Sequence, residues 1–260
     1  MTSFDYVFEL TDNNRARLFA IAARTKNRCT NEHRTLKWFW RPFFHRICTI
    51  KRYSHHQVIR DYTSPREALE LPPDPPNLRF EAKKTLALGL PVKSRAFAVF
   101  HCHTRWERKS WPMERWEQLL SSVLDFTPAV VISCGPDPEE IASTQALAAK
   151  FPSKVFSTEG RASWTQLAEL LHEASYFVGV DTAAMHLAAA AGCPTVCLFG
   201  PSPAFEYHPW QVKHWMIRPQ DWLSEDDVKK IPRDSLMKQI SVDRVVAGCR
   251  DAAGLSSTKV

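Results

Sequence analysis

No stretch of this 260-residue chain is apolar for long enough to read as a membrane span. The most apolar window, 177–200, is broken by Asp181, His186 and Pro194, and its helical part is too short to cross a bilayer. The N-terminus lacks a basic segment followed by an apolar core, so no secretory signal is expected. There is no internal repeat and no low-complexity tract. No apolar-flanked Asp-x-Asp falls at an expected strand end, so nothing asks for a catalytic divalent metal, and no cofactor is expected. Paired metal ligands are also missing. The seven cysteines, at 29, 48, 102, 134, 193, 197 and 249, are scattered through apolar runs without zinc-finger spacing. Around Cys102, strand alternation sends His101 and His103 to the opposite face. Reduced, mostly buried thiols in a cytoplasmic protein are the expectation.

What is present is enough chain for one large domain or two modest ones, 44% hydrophobic and 24% charged. The net charge of +6 is uneven: residues 1–60 hold twelve Lys/Arg against four Asp/Glu. The same segment contains Trp38, Phe39, Trp40, Phe43 and Phe44. Such a face suits nucleic acid, an anionic membrane or a phosphorylated glycolipid, or it is simply solvated with its aromatics in the core. No nucleic-acid-binding motif accompanies the charge, so nucleic acid is not expected.

In order, the pattern predicts a strand over Asp5–Leu10 and a helix from about Asn13 to Arg24. A strand begins near Arg28–Thr30, and the run RTLKWFWRPFFHRIC (34–48) forms a helix or loop over one end of the sheet. Tyr62 to Pro91 is punctuated by six prolines and reads as an extended connector, with a short helix from about Glu81 to Leu88. The boundary then falls near Pro91, giving a partial first domain (1–91) and a second domain (92–260). Beyond it, strands at 96–101, 129–134, 155–156, 176–180 and 195–199 alternate with helices at 112–125, 137–150, 163–173 and 183–191. A helix over 242–253 closes the chain. This is the α/β pattern of a doubly wound parallel sheet.

Ligands in such sheets bind beyond the carboxyl ends of the strands. Three loops therefore carry the candidate chemistry. In the first, 103–112, a hydroxyl and three cations gather before a helix N-terminus, which suits a diphosphate. In the second, 135–140, Glu139 sits at a helix start, where carboxylates are also favoured structurally. In the third, Asp181-Thr182 are two N-cap residue types, and the N–H groups of Thr182, Ala183 and Ala184 would face a bound anion. His186 lies one turn into that helix. The plain alternative is a capped helix with a half-buried histidine.

The run ASYFVGVDTAAMHLAAAAGCPTVCLFGP resembles the signature of the ADP-heptose:lipopolysaccharide heptosyltransferases. Their strand, Asp-Thr/Ser-Gly/Ala-x-x-His-Leu-x-Ala-Ala helix and Phe-Gly-Pro strand end are matched by Asp181, Thr182, Ala183, His186, Leu187, Ala189, Ala190, Phe199, Gly200 and Pro201. The 34–48 run is most similar to the core heptosyltransferase III branch. The resemblance implies two facing Rossmann-like domains (GT-B type) and metal-independent, inverting transfer of heptose from ADP-heptose to the lipopolysaccharide inner core. It also implies a cytoplasmic protein, peripheral on the inner face of the inner membrane. It gives Lys109 to the donor phosphates, preceded by Thr104 and Arg105, and Glu139 to the ribose hydroxyls.

One departure matters. Members of that family open with a strand and a Gly-Asp loop whose Asp is the general base. This chain's likeness starts at a later βα unit, so the first domain is expected to be truncated and the catalytic residue is unknown. Asp12 and Glu9 match nothing in the motif. A fragment of a transferase, a non-catalytic nucleotide-sugar-binding protein, a membrane- or partner-docking module, and a transferase for another nucleotide sugar all remain open.

Overall fold

The computed structural model describes residues 3–32, 36–51, 54–80 and 88–255. They group into two units: residues 1–76 with 205–207, and residues 77–204 with 208–260. The division thus falls between Pro76 and Asn77, inside the Pro-rich connector and ahead of Pro91. Nearly all of the helix expected over 81–88 lies outside the described residues.

The first unit is built on three parallel strands: β1 (Tyr6–Glu9), β2 (Asn27–Glu32) and β3 (Arg46–Thr49), in that order. Helix α1 (Asn14–Ala22) joins the first two, capped by Asn13, whose side chain accepts from the Ala16 N–H at 2.8 Å. A 3-10 turn over Trp38–Phe43 leads into β3. Trp40 and Phe44 point inward with Ala20 and Leu36, against Val7, Ile21 and Ile47. The aromatic-basic run is therefore a turn plus a strand, and the strand was not expected from the sequence.

Helix α2 (Gln57–Leu69) corrects the reading of residues 62 onward as an extended connector. Pro65 inside it gives up a backbone hydrogen bond, but tertiary ties outweigh that. Arg60 and Ser64 are buried, and the Asn31 amide donates to the Arg60 carbonyl at 2.9 Å. The stretch LPPDPPN is neither helix nor strand, as expected.

The second unit contains β4 (Phe97–His101), α3 (Met113–Val123), β5 (Ala129–Ser133), α4 (Pro138–Ala149), β6 (Val155–Ser157) and α5 (Trp164–Glu173). There follow β7 (Tyr176–Val180), α6 (Ala183–Ala190), β8 (Thr195–Leu198), α7 (Ala204–Tyr207), which lends three residues to the first unit, β9 (His214–Ile217), α8 (Glu225–Lys230) and α9 (Val242–Ala252). Its six strands are all parallel, in the order β6-β5-β4-β7-β8-β9. Strands β4 to β6 wind one way from the centre and β7 to β9 the other. The topological switch point is the β4–β7 pair, registered Ala98↔Tyr176. The sequence pattern anticipates the other five strands but not β9.

Each strand of the central pair is buried along most of its length, which is why it reads as a continuous apolar run. Phe100, Trp116, Leu119, Leu120, Val130, Ile132 and Val178 form part of the core, each worth about 1.5–3 kcal/mol by burial. Trp111 packs edge-on against Trp116, ring centroids 5.0 Å apart, and its indole N–H donates to the Ile240 carbonyl at 3.0 Å. That anchor fixes the end of the loop after β4. Gly192, at φ +72°, follows α6 and lets the chain turn into β8. All seven cysteines are free and buried. Burial pushes the Cys193 thiol up to about 12.

Candidate functional site

The loops after β4, β5 and β7 meet around a cavity of about 360 Å³ in the second unit. Its lining includes Thr104, Arg105 and Lys109 from the first loop, Gly135 and Glu140 from the second, and Asp181, Thr182, Ala183 and Ala184 from the third. The switch point accounts for this: β4 and β7 are neighbours, so loops far apart in sequence open at the same end of the sheet.

Lys109 Nζ lies 2.5 Å from Asp181 Oδ2, with both side chains largely buried. His186 Nε2 is 3.9 Å from Asp181 Oδ1 and is not among the residues that line the cavity. Burial holds the His186 imidazole below its usual pKa. Asp181 opposes that shift, while Lys109 and His208 add to it. At neutral pH, His186 is therefore an uncharged donor or acceptor beside an ion pair.

Thr182 occupies the N-cap of α6, but its side chain makes no capping hydrogen bond. Its hydroxyl oxygen is buried and has no partner among the described residues. The opening N–H groups of α6 thus keep their anion-binding capacity. The neighbouring helices differ. Asp137 caps α4 through the N–H groups of Glu139 and Glu140, and Ser163 with Gln166 closes a capping box on α5.

Several lining residues carried no clear signal in the sequence. Trp106 lies under Lys109 Nζ at 4.8 Å and Arg108 at 4.6 Å, a cation–π arrangement that holds the basic loop in place. Trp164, at the first turn of α5, is 58% exposed and offers a flat face to the cavity. His101 Nδ1 sits 2.9 Å from the Ser133 hydroxyl, and His103 Nε2 2.8 Å from that of Ser143. Burial, with the charge of His103, lowers the His101 pKa to about 4, and burial also lowers that of His103. The second ring nitrogen of His103, Nδ1, is buried and unpartnered among the described residues.

Of the two adjacent glutamates, Glu140 lines the cavity and accepts the Gly135 N–H at 2.8 Å. Glu139 is exposed, outside the lining, and its carboxylate is unpaired among the described residues. Gly160 must be glycine here: it has φ +67°, and a Cβ would come within 2.6 Å of the Gly135 carbonyl. Arg108 turns away to a separate surface hollow with Glu107 and Asp234. No group of three or more His, Cys, Asp or Glu among the described residues is arranged to hold a metal ion.

A doubly wound sheet with a cationic, uncapped helix start at its switch point is the architecture of nucleotide-binding α/β proteins. The comparisons narrow that class. The sequence profile of glycosyltransferase family 9 (heptosyltransferase) matches residues 1–235, and this chain belongs to that family. Similar proteins include lipopolysaccharide heptosyltransferase 3 of Escherichia coli K12, 28% identical over 103 residues, which is 39% of this chain and 30% of that protein. Lipopolysaccharide heptosyltransferase 1 of the same strain is 32% identical over 118 residues, 44% of this chain and 35% of the relative. These matches therefore span about a third of the relatives' length. Among solved structures, the E. coli heptosyltransferase WaaC with ADP superposes with a TM-score of 0.76 at 20% identity, covering 96% of this chain and 73% of that one. The family 9 glycosyltransferase of Veillonella parvula DSM 2008 gives the same TM-score and identity, covering 98% and 75%. These likenesses establish the GT-B heptosyltransferase fold. No helix among the described residues is long and apolar enough to cross a membrane.

Proposed function

We propose that this chain binds ADP-heptose in the second-unit cavity and serves transfer of the heptose to a hydroxyl of the lipopolysaccharide inner core. The work would be done in the cytoplasm, at the inner face of the inner membrane. The observation that carries the reading is the Thr182 hydroxyl, buried and unpartnered at the start of α6 beside the Lys109–Asp181 pair. A helix start left uncapped next to a lysine is built for an anion.

In this reading the diphosphate lies across the N–H groups of Thr182, Ala183 and Ala184, with Thr104 and Arg105 at its flank. Lys109 exchanges Asp181 for phosphate oxygens, and the freed carboxylate accepts sugar hydroxyls. Trp164 offers a face to the base, and the unpaired Glu139 carboxylate accepts the ribose hydroxyls. As the acceptor hydroxyl oxygen bonds to the anomeric carbon, its proton passes to water and the bonding pair of the broken bond leaves with ADP. Lys109 and the α6 N-terminus then stabilise the charge that develops on the departing diphosphate. His186 positions Asp181. The ADP in the WaaC structure and the heptosyltransferase names of the relatives support the choice of donor.

The test is thermal unfolding of the chain with ADP, UDP and GDP, repeated with Lys109→Ala. At about 100 times Kd, a nucleotide adds roughly 2.7 kcal/mol. An upward shift selective for ADP and removed by Lys109→Ala is expected. A shift with UDP or GDP alone would move the assignment to another nucleotide sugar, and no shift at all would end it.

A further inference from the structure

The first unit carries a surface that the transfer chemistry does not use. In the 3-10 turn over Trp38–Phe43, only Trp40 turns into the core. Trp38 is 81% exposed, Phe39 42% and Phe43 48%. Burying such rings is strongly favourable, so three of them exposed within one six-residue turn call for an occupant. Trp38 and Phe39 contact edge to face at 6.1 Å, and Lys37 Nζ lies 5.8 Å from the Phe39 ring centre. Arg46 is exposed within the same short segment, as is Arg41, which pairs with Glu32 at 3.2 Å.

Helix α1 shares one core cluster with this turn, through Ala20 and Ile21 against Trp40 and Phe44. It too leaves large apolar side chains outside, Leu18 and Phe19 at 60% and 68% exposure. Residues 1–60 as a whole carry a formal charge of +8, while the remaining 200 residues sum to −2.

We infer that the 37–46 segment is an interfacial anchor that seats the first unit on an anionic lipid bilayer. Indole and phenyl rings flanked by lysine and arginine fit the headgroup boundary, where the rings enter the acyl edge and the cations meet lipid phosphates. Three exposed rings present about 150–250 Å² each at most, short of the roughly 800 Å² per partner of a stable protein interface. A bilayer sets no such minimum, because apolar insertion and charge attraction add together. The inference rests on the reading above only in that a lipid-borne acceptor makes a membrane seat useful.

The experiment is co-sedimentation of the full chain with vesicles of phosphatidylcholine alone and of phosphatidylcholine mixed with phosphatidylglycerol. Tryptophan quenching by acyl-brominated lipid is measured alongside it. Binding is expected to the anionic vesicles only, weakened by salt, with quenching that reports insertion. Trp38→Ala with Phe39→Ala should lower partitioning by about tenfold or more, while leaving intact any thermal shift with ADP.

Absence of binding to anionic vesicles would overturn the inference. So would binding without quenching, or binding that the double variant leaves unchanged, because attraction would then be diffuse charge rather than this anchor. Quenching needs no variant, so a poorly folding variant does not rescue the idea. Vesicle binding without an ADP shift would sink the donor reading and leave the anchor standing, and the reverse result would do the opposite.

Discussion

The Lys109–Asp181 pair should be worth measurably less when nucleotide is bound. At the observed 2.5 Å, two unit charges attract by about 6–7 kcal/mol at an effective dielectric near 20. Desolvation and the ordering of a long lysine remove most of that. Exposed pairs retain about 0–1 kcal/mol, and breaking a fully buried one costs about 3–5 kcal/mol. With both side chains largely but not wholly buried, a double-mutant cycle of Lys109→Ala and Asp181→Ala in urea should give a coupling of about 1–2 kcal/mol. Saturating ADP should reduce the coupling toward zero, because Lys109 is drawn to the phosphates and no longer opposes Asp181. The assay is one set of four proteins unfolded with and without ADP. A coupling that ADP leaves unchanged would mean that Lys109 never leaves Asp181, and its proposed role would be lost.

Three further outcomes follow from the same geometry. His101 has a folded pKa lowered from 6.5 to about 4, so its contribution to stability is present above pH 6.5 and lost as the pH falls toward 4. The unfolding free energy from urea titrations should drop over that window by up to about 3 kcal/mol, and His101→Gln should flatten the profile. Arg60 and Glu206 form a buried ion pair within the first unit; Glu206→Ala should cost about 3–5 kcal/mol, and pairing it with Arg60→Met should recover much of the loss, as read by thermal melts. Calorimetric titration with ADP should separate the adjacent glutamates: Glu139→Gln weakens affinity while leaving the melting temperature unchanged, whereas Glu140→Ala frees the Gly135 N–H and lowers both.

Much of the second unit was legible in the sequence because its strands are buried on both faces and its helices carry readable starts. Asp137, Ser163 and Gly192 mark boundaries that the structure keeps within a residue or two. What failed was short or locally contradictory. β3 is four residues, with Arg46 and Thr49 exposed, directly after an aromatic run containing Pro42. Two alternations are too few to register. α2 was lost to Pro65, where burial of Arg60 and Ser64 overrides a local penalty. For the site, Asp181 and Thr182 are legible because they lie just beyond a recognisable strand, whereas Lys109 is singled out only by the family resemblance. The sequence offered no means to find Trp164, whose place in the cavity depends on the packing of α5. Nor could it distinguish Glu139 from Glu140, since consecutive helical positions differ by only 100° of rotation.

The three helices around the cavity divide the work through their first turns. α4 and α5 spend side-chain oxygens on their own N–H groups, whereas α6 has a residue able to cap and does not use it. Forgoing a cap costs about 1 kcal/mol, and burying a hydroxyl without a partner costs about 1–3 kcal/mol more. A ligand oxygen that accepts from both the hydroxyl and the helix N–H groups would recover these costs on binding. Thr182→Val, which keeps the shape and removes the orphan oxygen, should therefore leave the free protein as stable or up to about 1 kcal/mol more stable, while reducing the thermal shift with ADP. If the same variant loses stability without nucleotide, the hydroxyl already has a partner in the free protein. If it binds ADP as well as the parent chain, the diphosphate lies elsewhere. Either result would detach α6 from the proposed donor site.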